Sequence, residues 1–237
     1  MYDTIVSKET KWRLNVSQKQ IANSTGIVLA GGKSSRLGRE KALEWIAGRR
    51  LIERVVDTLG LVSHEVLVVT SSEQFDTVAS LHLKAKTTVD IYPGKAAFGG
   101  IYTGLANAST QYGLVVACDM PFLNSALLCY LVQIAPGFDI VIPRVGGKIE
   151  PLHAVYSKDC LTVIQQLLDR NILQLLLLLD LVKTRYVSDE EVDKFDSKHR
   201  SFFNINTEND LVEARKVTEQ IERDAIKGKD EPSSAHC

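Results

Sequence analysis

The 237-residue sequence predicts an α/β fold: a doubly wound, mostly parallel sheet in three α/β/α layers, Rossmann-like in plan. Short β-type runs alternate with helix-length segments, and several of those runs lack polar alternation, as strands buried on both faces do. The runs are Gly26–Ala30, Glu65–Thr70, Thr87–Ile91, Gly113–Cys118, Phe138–Pro143 and Leu152–Tyr156. Helices are expected over Leu51–Leu59, Gln74–Leu81, Gly99–Ala108, Ser125–Ile134 and Lys158–Leu168. Leu51, Ile52, Val55, Val56 and Leu59 form an apolar helical stripe. The run Ile172–Leu181 stops at Asp180, far short of the ~20 residues of a membrane span, and is expected as a buried helix. A final helix is expected from Thr207 to about Lys227, capped by the threonine. Residues 1–24 are polar and carry no apolar signal core, so they are expected as an extension. One domain over 25–227 and a disordered tail over 228–237 complete the expectation.

Charge and cysteine content narrow the class. Lys and Arg number 28 against 29 Asp and Glu, a net charge of −1. No whole-protein field exists to collect nucleic acid or an anionic membrane. Cys118, Cys129, Cys160 and Cys237 show no C-x-x-C spacing, which points to reduced, mostly buried thiols in a cytoplasmic protein.

Ligands on parallel sheets sit beyond the carboxyl ends of strands, so the residues after each strand are the place to look. The first run leads into Gly31-Gly32-Lys33-Ser34-Ser35-Arg36-Leu37-Gly38-Arg39-Glu40-Lys41. Glycines allow close backbone approach with amides turned inward, and Arg and Lys suit a polyphosphate. A solvated glycine turn is the bland alternative. The dinucleotide G-x-G-x-x-G spacing is missing. Gly32-Lys33-Ser34 imitates a P-loop, but Ile27 stands where its first glycine belongs.

Two acids end strands. Asp119 follows the apolar run Leu114–Cys118 and is placed to hold a hard cation such as Mg²⁺, which binds through one or two carboxylates plus substrate phosphates. Asp90 follows the third run, with a ribose, base or metal contact as its functional reading and a turn residue as its bland one. Gly99-Gly100 are expected to open a helix whose N–H groups could face substrate.

These segments resemble the molybdenum cofactor guanylyltransferases, a family with the nucleotidyltransferase fold. Leu29-Ala30-Gly31-Gly32-Lys33-Ser34-Ser35-Arg36-Leu37-Gly38-x-x-Lys41 is similar to the L-A-G-G-x-S-x-R-M-G-x-D-K signature. Asp90 with Pro93-Gly94-Lys95 and Phe98-Gly99-Gly100 resembles D-x-x-P-G-K-G-P-L-G-G, with Ala96-Ala97 in place of Gly-Pro. Cys118-Asp119-Met120-Pro121, Glu150-Pro151-Leu152-His153-Ala154-Val155-Tyr156 and Phe202-Phe203-Asn204-Ile205-Asn206-Thr207 resemble three further blocks, in order.

The resemblance implies transfer of GMP from GTP to molybdenum-molybdopterin, with pyrophosphate released. It implies GTP contacts at Leu29, Ala30, Gly31, Gly32, Lys41 and Asp90, and both nucleotide and Mg²⁺ at Asp119. Arg36 and Lys41 with the loop amides are expected to grip the β/γ-phosphates, making Arg36, Lys41 and Asp119 the catalytic set. Residues 25–122 then form the nucleotide part and 123–215 the acceptor part. Gly99, Gly100, Glu150, His153, Asn204 and Asn206 are acceptor-side candidates. His153 lies in an apolar run and suits a structural role equally well. Asn204 and Asn206 are expected on one face of a strand, lining the acceptor side or satisfying nearby backbone groups. Other cofactor-biosynthesis proteins or apo-molybdoenzymes are the expected protein partners. Alternatives are a transferase using CTP or a sugar-phosphate acceptor, a P-loop-like GTP switch, or a non-catalytic nucleotide-binding module.

Overall fold

The computed structural model describes residues 23–31 and 41–230. In chain order its elements begin with β1 (Ser24–Leu29), the short strands β2 (Trp45–Ile46) and β3 (Arg49–Arg50), α1 (Leu51–Gly60), β4 (Glu65–Thr70) and α2 (Phe75–Ala79). Next come β5 (Lys86–Val89), α3 (Ala96–Asn107), β6 (Tyr112–Ala117), α4 (Ser125–Gln133), β7 (Ile140–Val145), β8 (Lys148–Ile149) and β9 (His153–Ser157). The chain continues through α5 (Leu161–Asp169), α6 (Leu175–Leu181), β10 (Thr184–Val187), α7 (Asp189–Asp196) and α8 (Glu208–Asp230).

The main sheet runs β10-β7-β9-β6-β1-β4-β5, with β8 paired to β7. β1 sits between β4 and β6, parallel to both, and all six of its residues are buried. That is why its sequence shows no polar alternation. Successive side chains of β1 feed opposite faces. Val28 joins a core with Ile52, Val55 and Leu59 of α1 and Leu127, Leu128 and Leu131 of α4. Ile27 joins a second core with Phe98, Ile101 and Leu105 of α3 and Ile164 and Leu167 of α5. The expected doubly wound, three-layer plan is therefore present.

Local chemistry sets the helix starts. At α1 the Glu53 carboxylate accepts from the Arg50 backbone N–H at 3.0 Å. The Asn124 side chain accepts from the N–H groups of Ala126 and Leu127, both at 3.0 Å, and so caps α4. Thr207 caps α8 as expected, accepting from Asp210 N–H at 3.2 Å, while Asp210 accepts from Thr207 N–H at 2.7 Å.

The structure corrects several expectations. β9 is antiparallel to both β6 and β7, a direction that an apolar run does not encode. β10 and α7 were not anticipated. Thr184–Val187 is short and mostly half-buried, and α7 is strongly polar. The apolar run 172–181 forms a helix only over Leu175–Leu181, and it is not buried throughout: Leu178 and Leu179 are, whereas Leu176 is 65% and Leu181 55% exposed. Residues 203–206 belong to no strand.

Helix α3 lies unusually close to β1. A Cβ on Gly104 would stand 2.4 Å from Cγ2 of Ile27, and one on Gly113 of β6 would stand 2.6 Å from Cδ1 of the same residue. Ala normally stabilises a helix interior by about 1 kcal/mol over Gly. Here overpacking reverses the sign, and Gly104→Ala is expected to cost about 1–3 kcal/mol, read as a lowered urea midpoint at unchanged slope.

Candidate active site

The strand ends are knitted together at one edge of the sheet. Cys118 N–H donates to Leu29 O at 3.2 Å, Ala30 N–H to Val69 O at 2.8 Å and Asp90 N–H to Thr70 O at 2.8 Å. Each ladder thus runs one residue past its strand and lays the following residues side by side. Leu29 and Ala30 are buried there, and Gly31 emerges to solvent. A Cβ on Gly31 would lie 3.3 Å from the Ser71 nitrogen, so the small residue lets two loops pass. Gly32 and Arg36 lie outside the described residues, as do Lys33 and Arg39. Lys41 opens a short 3-10 turn, Lys41–Leu43, with its backbone placed directly after that loop.

Asp90 is held rather than left in solution. Its Oδ1 accepts from the Thr103 hydroxyl at 2.9 Å and from Tyr92 N–H at 2.9 Å. The same Thr103 oxygen accepts from Ile91 N–H at 3.1 Å, so one buried hydroxyl of α3 ties down carboxylate and backbone together. Gly99, one helical turn earlier on the same face, completes the seat: a Cβ there would meet Tyr92 O at 2.5 Å and Asp90 Oδ2 at 3.0 Å. Gly100 packs against Leu29 in the same way. Both glycines are buried in the first turns of α3 instead of opening it, because the helix starts at Ala96. Ala96 adopts φ +49°, the left-handed conformation that a glycine takes easily. The chain therefore keeps a glycine-like loop shape at a cost of about 1–2 kcal/mol in backbone strain.

Asp119 sits in the turn after β6. Its backbone carbonyl accepts from Ile205 N–H at 3.0 Å, which draws the 203–206 segment to the same edge. From the other side, Ala117 N–H donates to Leu152 O at 3.2 Å, bringing the turn that carries Glu150 beside the end of β6. Glu150 is half-buried, and burial raises its pKa above the usual carboxylate value with Lys148 opposing. Between the strands of Asp119 and Asp90 lie three inter-strand steps, roughly 14 Å at ordinary spacing.

His153 is fully buried. It packs against Phe202 with ring centroids 4.6 Å apart, and neither ring nitrogen has a hydrogen-bond partner. Desolvation lowers its pKa to about 3. Its ring belongs to the packing under the site, which favours the structural alternative. Asn204 donates its side-chain amide to Phe202 O at 3.1 Å, satisfying nearby backbone, while Asn206 is exposed. A cavity of about 290 Å³ lies behind this segment, among Phe122, Lys198, Arg200, Phe202, Phe203 and Glu213. It is lined by none of the expected site residues. Among the described residues no group of three or more His, Cys, Asp or Glu side chains gathers as a metal cluster. Cys118, Cys129 and Cys160 are buried, as expected for small apolar roles.

Thr103 and the Ile205 contact were missed from sequence. The spacing of Thr103 four residues after Gly99 was the available signal, since i and i+4 share a helix face. Lys95 was another: its ammonium reaches Asn171 at 2.8 Å, tying the Asp90 loop to the α5–α6 connection.

A mostly parallel sheet with a glycine exit from β1 and two carboxylates spaced along its carboxyl edge has the form of an enzyme of the nucleotidyltransferase class. A family model described as "MobA-like NTP transferase domain" matches residues 26–183. This chain belongs to that family. A Pelotomaculum thermopropionicum protein named "Probable molybdenum cofactor guanylyltransferase" is 37% identical over 196 residues, 83% of this chain and 94% of that one. The Desulfosudis oleivorans "Molybdenum cofactor guanylyltransferase" is 33% identical over 192 residues, 80% and 93% of the two chains. Among solved structures, molybdopterin-guanine dinucleotide biosynthesis protein A from Archaeoglobus fulgidus matches with a TM-score of 0.73 at 29% identity, covering 83% of this chain and 99% of that one.

Two outcomes follow from the buried contacts. His153 is neutral in the folded state and titrates near the ordinary histidine value of 6.5 when unfolded. The unfolded chain therefore binds the extra proton between about pH 6.5 and 3, and stability falls as pH drops through that window, by up to ~1.4 kcal/mol per pH unit. In His153→Phe that slope is expected to flatten, with the neutral-pH midpoint within about 1.5 kcal/mol of wild type because ring packing is kept. Thr103→Val leaves Ile91 N–H and Asp90 each one partner short and is expected to cost about 1–3 kcal/mol in denaturant unfolding.

Proposed function

We propose that this enzyme transfers GMP from GTP to molybdopterin carrying molybdenum, forming the guanine dinucleotide cofactor and releasing pyrophosphate. The names of its relatives supply the substrates. The observation that carries the reading is the edge itself, where Leu29, Gly31, Asp90 and Asp119 stand at strand ends held in register.

The chemistry asks for positioning more than for a strong base. An acceptor phosphate oxygen is already anionic, and the barrier lies in bringing it onto the α-phosphate of a polyanion. The backbone after β1 and the cations Arg36 and Lys41 hold the triphosphate tail. Asp90, fixed by Thr103 and Tyr92 N–H, fixes the nucleoside end. Asp119 marks the reacting centre, because nucleotide-side strands lie on one flank of β6 and the Glu150 turn on the other. Such a site works by orientation and electrostatic complementarity.

The donor set suits Mg²⁺. A hard carboxylate in the turn after a strand fits a cation that completes its shell with phosphates and water. Asp119 would hold it. When bound, Mg²⁺ offsets charge at the α-phosphate and pyrophosphate oxygens. Asn204 and Asn206 complete the acceptor-side proposal, whereas Gly99 and Gly100, expected there, instead seat Asp90 and Leu29 on the nucleotide flank. The enzyme acts in the cytoplasm, handing product to apo-molybdoenzymes or neighbouring biosynthetic proteins.

Incubation with each NTP, Mg²⁺ and molybdopterin carrying molybdenum is expected to yield pyrophosphate and dinucleotide with GTP alone. Asp119→Ala is expected to lower kcat by about 10²-fold or more, in the range seen when one electrostatic group is removed from an active site. Phosphate release in place of pyrophosphate, equal turnover of CTP, or normal turnover by Asp119→Ala would each contradict the proposal.

A further inference from the structure

We propose that Glu150 recognises the acceptor's pterin ring, its carboxylate taking the two adjacent N–H donors of the amino-lactam edge: the exocyclic 2-amino group and ring N3–H. This rests on the function proposed above and assigns one of its substrates a specific contact.

The position of Glu150 is built, not incidental. Its own N–H donates to Pro143 O at 3.0 Å, and its carbonyl accepts from His153 N–H at 3.1 Å. Two residues on, Leu152 O is bound to the end of β6, next to Asp119. Residue 150 therefore sits in a turn fixed at both ends, beside the end of β6. Yet no hydrogen bond or ion pair satisfies its carboxylate among the described residues, and Lys148 acts on it only through space. Withdrawing a carboxylate from water without a partner is unfavourable. A half-buried one beside a reaction centre is poised for a ligand that brings the donors.

Its charge decides which part of the ligand that is. A carboxylate repels the phosphates and the other acidic groups of the acceptor. It pairs well with two parallel N–H donors, the geometry that makes charge-assisted bidentate contacts strong and directional. The pterin's 2-amino-4-oxo pyrimidine edge presents such a pair. Guanine presents the same edge, and topology separates the two. Asp90 lies three strands to one side of β6, whereas the Glu150 turn enters from β8 and β9 on the other. GTP lying over the first flank leaves the second to the acceptor.

The test uses the full chain, Glu150→Gln, and two probes: pterin, and lumazine, in which a carbonyl replaces the 2-amino group. Wild type is expected to bind pterin at least tenfold more tightly than lumazine, by calorimetry or pterin fluorescence. Glu150→Gln, whose amide offers one donor and one acceptor, is expected to lose or invert that preference. It should also raise the acceptor KM about tenfold or more with the GTP KM within twofold. Wild type binding both rings equally, or a variant with unchanged preference and acceptor KM, overturns the assignment while leaving GMP transfer intact. Parallel loss of GTP affinity and thermal stability in the variant also overturns it, marking a structural carboxylate. Wild type that makes no dinucleotide refutes the function itself, an outcome the ring-preference measurement reads separately.

Discussion

Everything at the active edge depends on the parallel pairing of β1 with β4 and β6. The register sets Leu29 beside Val69 and Ala117, so three chain segments leave the sheet at one level. Parallel strands require long crossovers, and α1 and α3 supply them on opposite faces of the sheet. β1 is sealed on both faces, and at its carboxyl end the chain opens to solvent at Gly31. The same closeness that buries Ile27 against Gly104 and Gly113 carries α3 near enough to the β5 loop for Gly99 and Thr103 to seat Asp90. The core packing and the seat of Asp90 are consequences of one helix approach.

Much of this was legible in the residues, and the failures share a cause. Runs buried on both faces, such as Ile27–Leu29 and Val66–Thr70, announce themselves by uninterrupted apolar character, and their following residues are where ligands gather. Asp90 and Asp119 were singled out in that way, and the structure places both at the carboxyl edge of the sheet. What an apolar run does not carry is direction. His153–Ser157 reads the same forward or reversed, and only the pairing Val116–His153 shows it to be antiparallel. Short half-exposed pieces such as Thr184–Val187 lack a pattern altogether and take their form from β7 beside them. The Leu175–Leu181 run errs in the other sense: composition suggested full burial, yet the helix covers the core with one face only. Arg36 and Gly32, the centre of the phosphate-loop argument, lie outside the described residues.

Near-neutral overall charge gives no hint of the anionic substrates proposed above, because a net charge averages over residues that act locally. Asp90 and Asp119 are separated across the edge by roughly 14 Å of sheet. At that distance, beyond a physiological Debye length of about 8 Å, the two carboxylates repel each other little, which suits the separate roles proposed for them. Strand spacing, not sequence proximity, sets that separation.

The reversal of β9 adds a second consequence. On a wholly parallel sheet, the carboxyl edge is built only from residues that follow strands. An antiparallel strand enters at that edge, so the residues preceding it stand there too. The turn of Glu150–Leu152 precedes β9 and is bonded to Ala117, while Ile205, far along the chain, closes on Asp119 from its own segment. On the function proposed above, this gives two chemically distinct partners separate places about Asp119: one at the loops leaving β1, β4 and β5, the other at the turn entering β9. A transferase must bring two substrates to one phosphorus atom without one set of groups serving both, and a single reversed strand satisfies that requirement within one sheet.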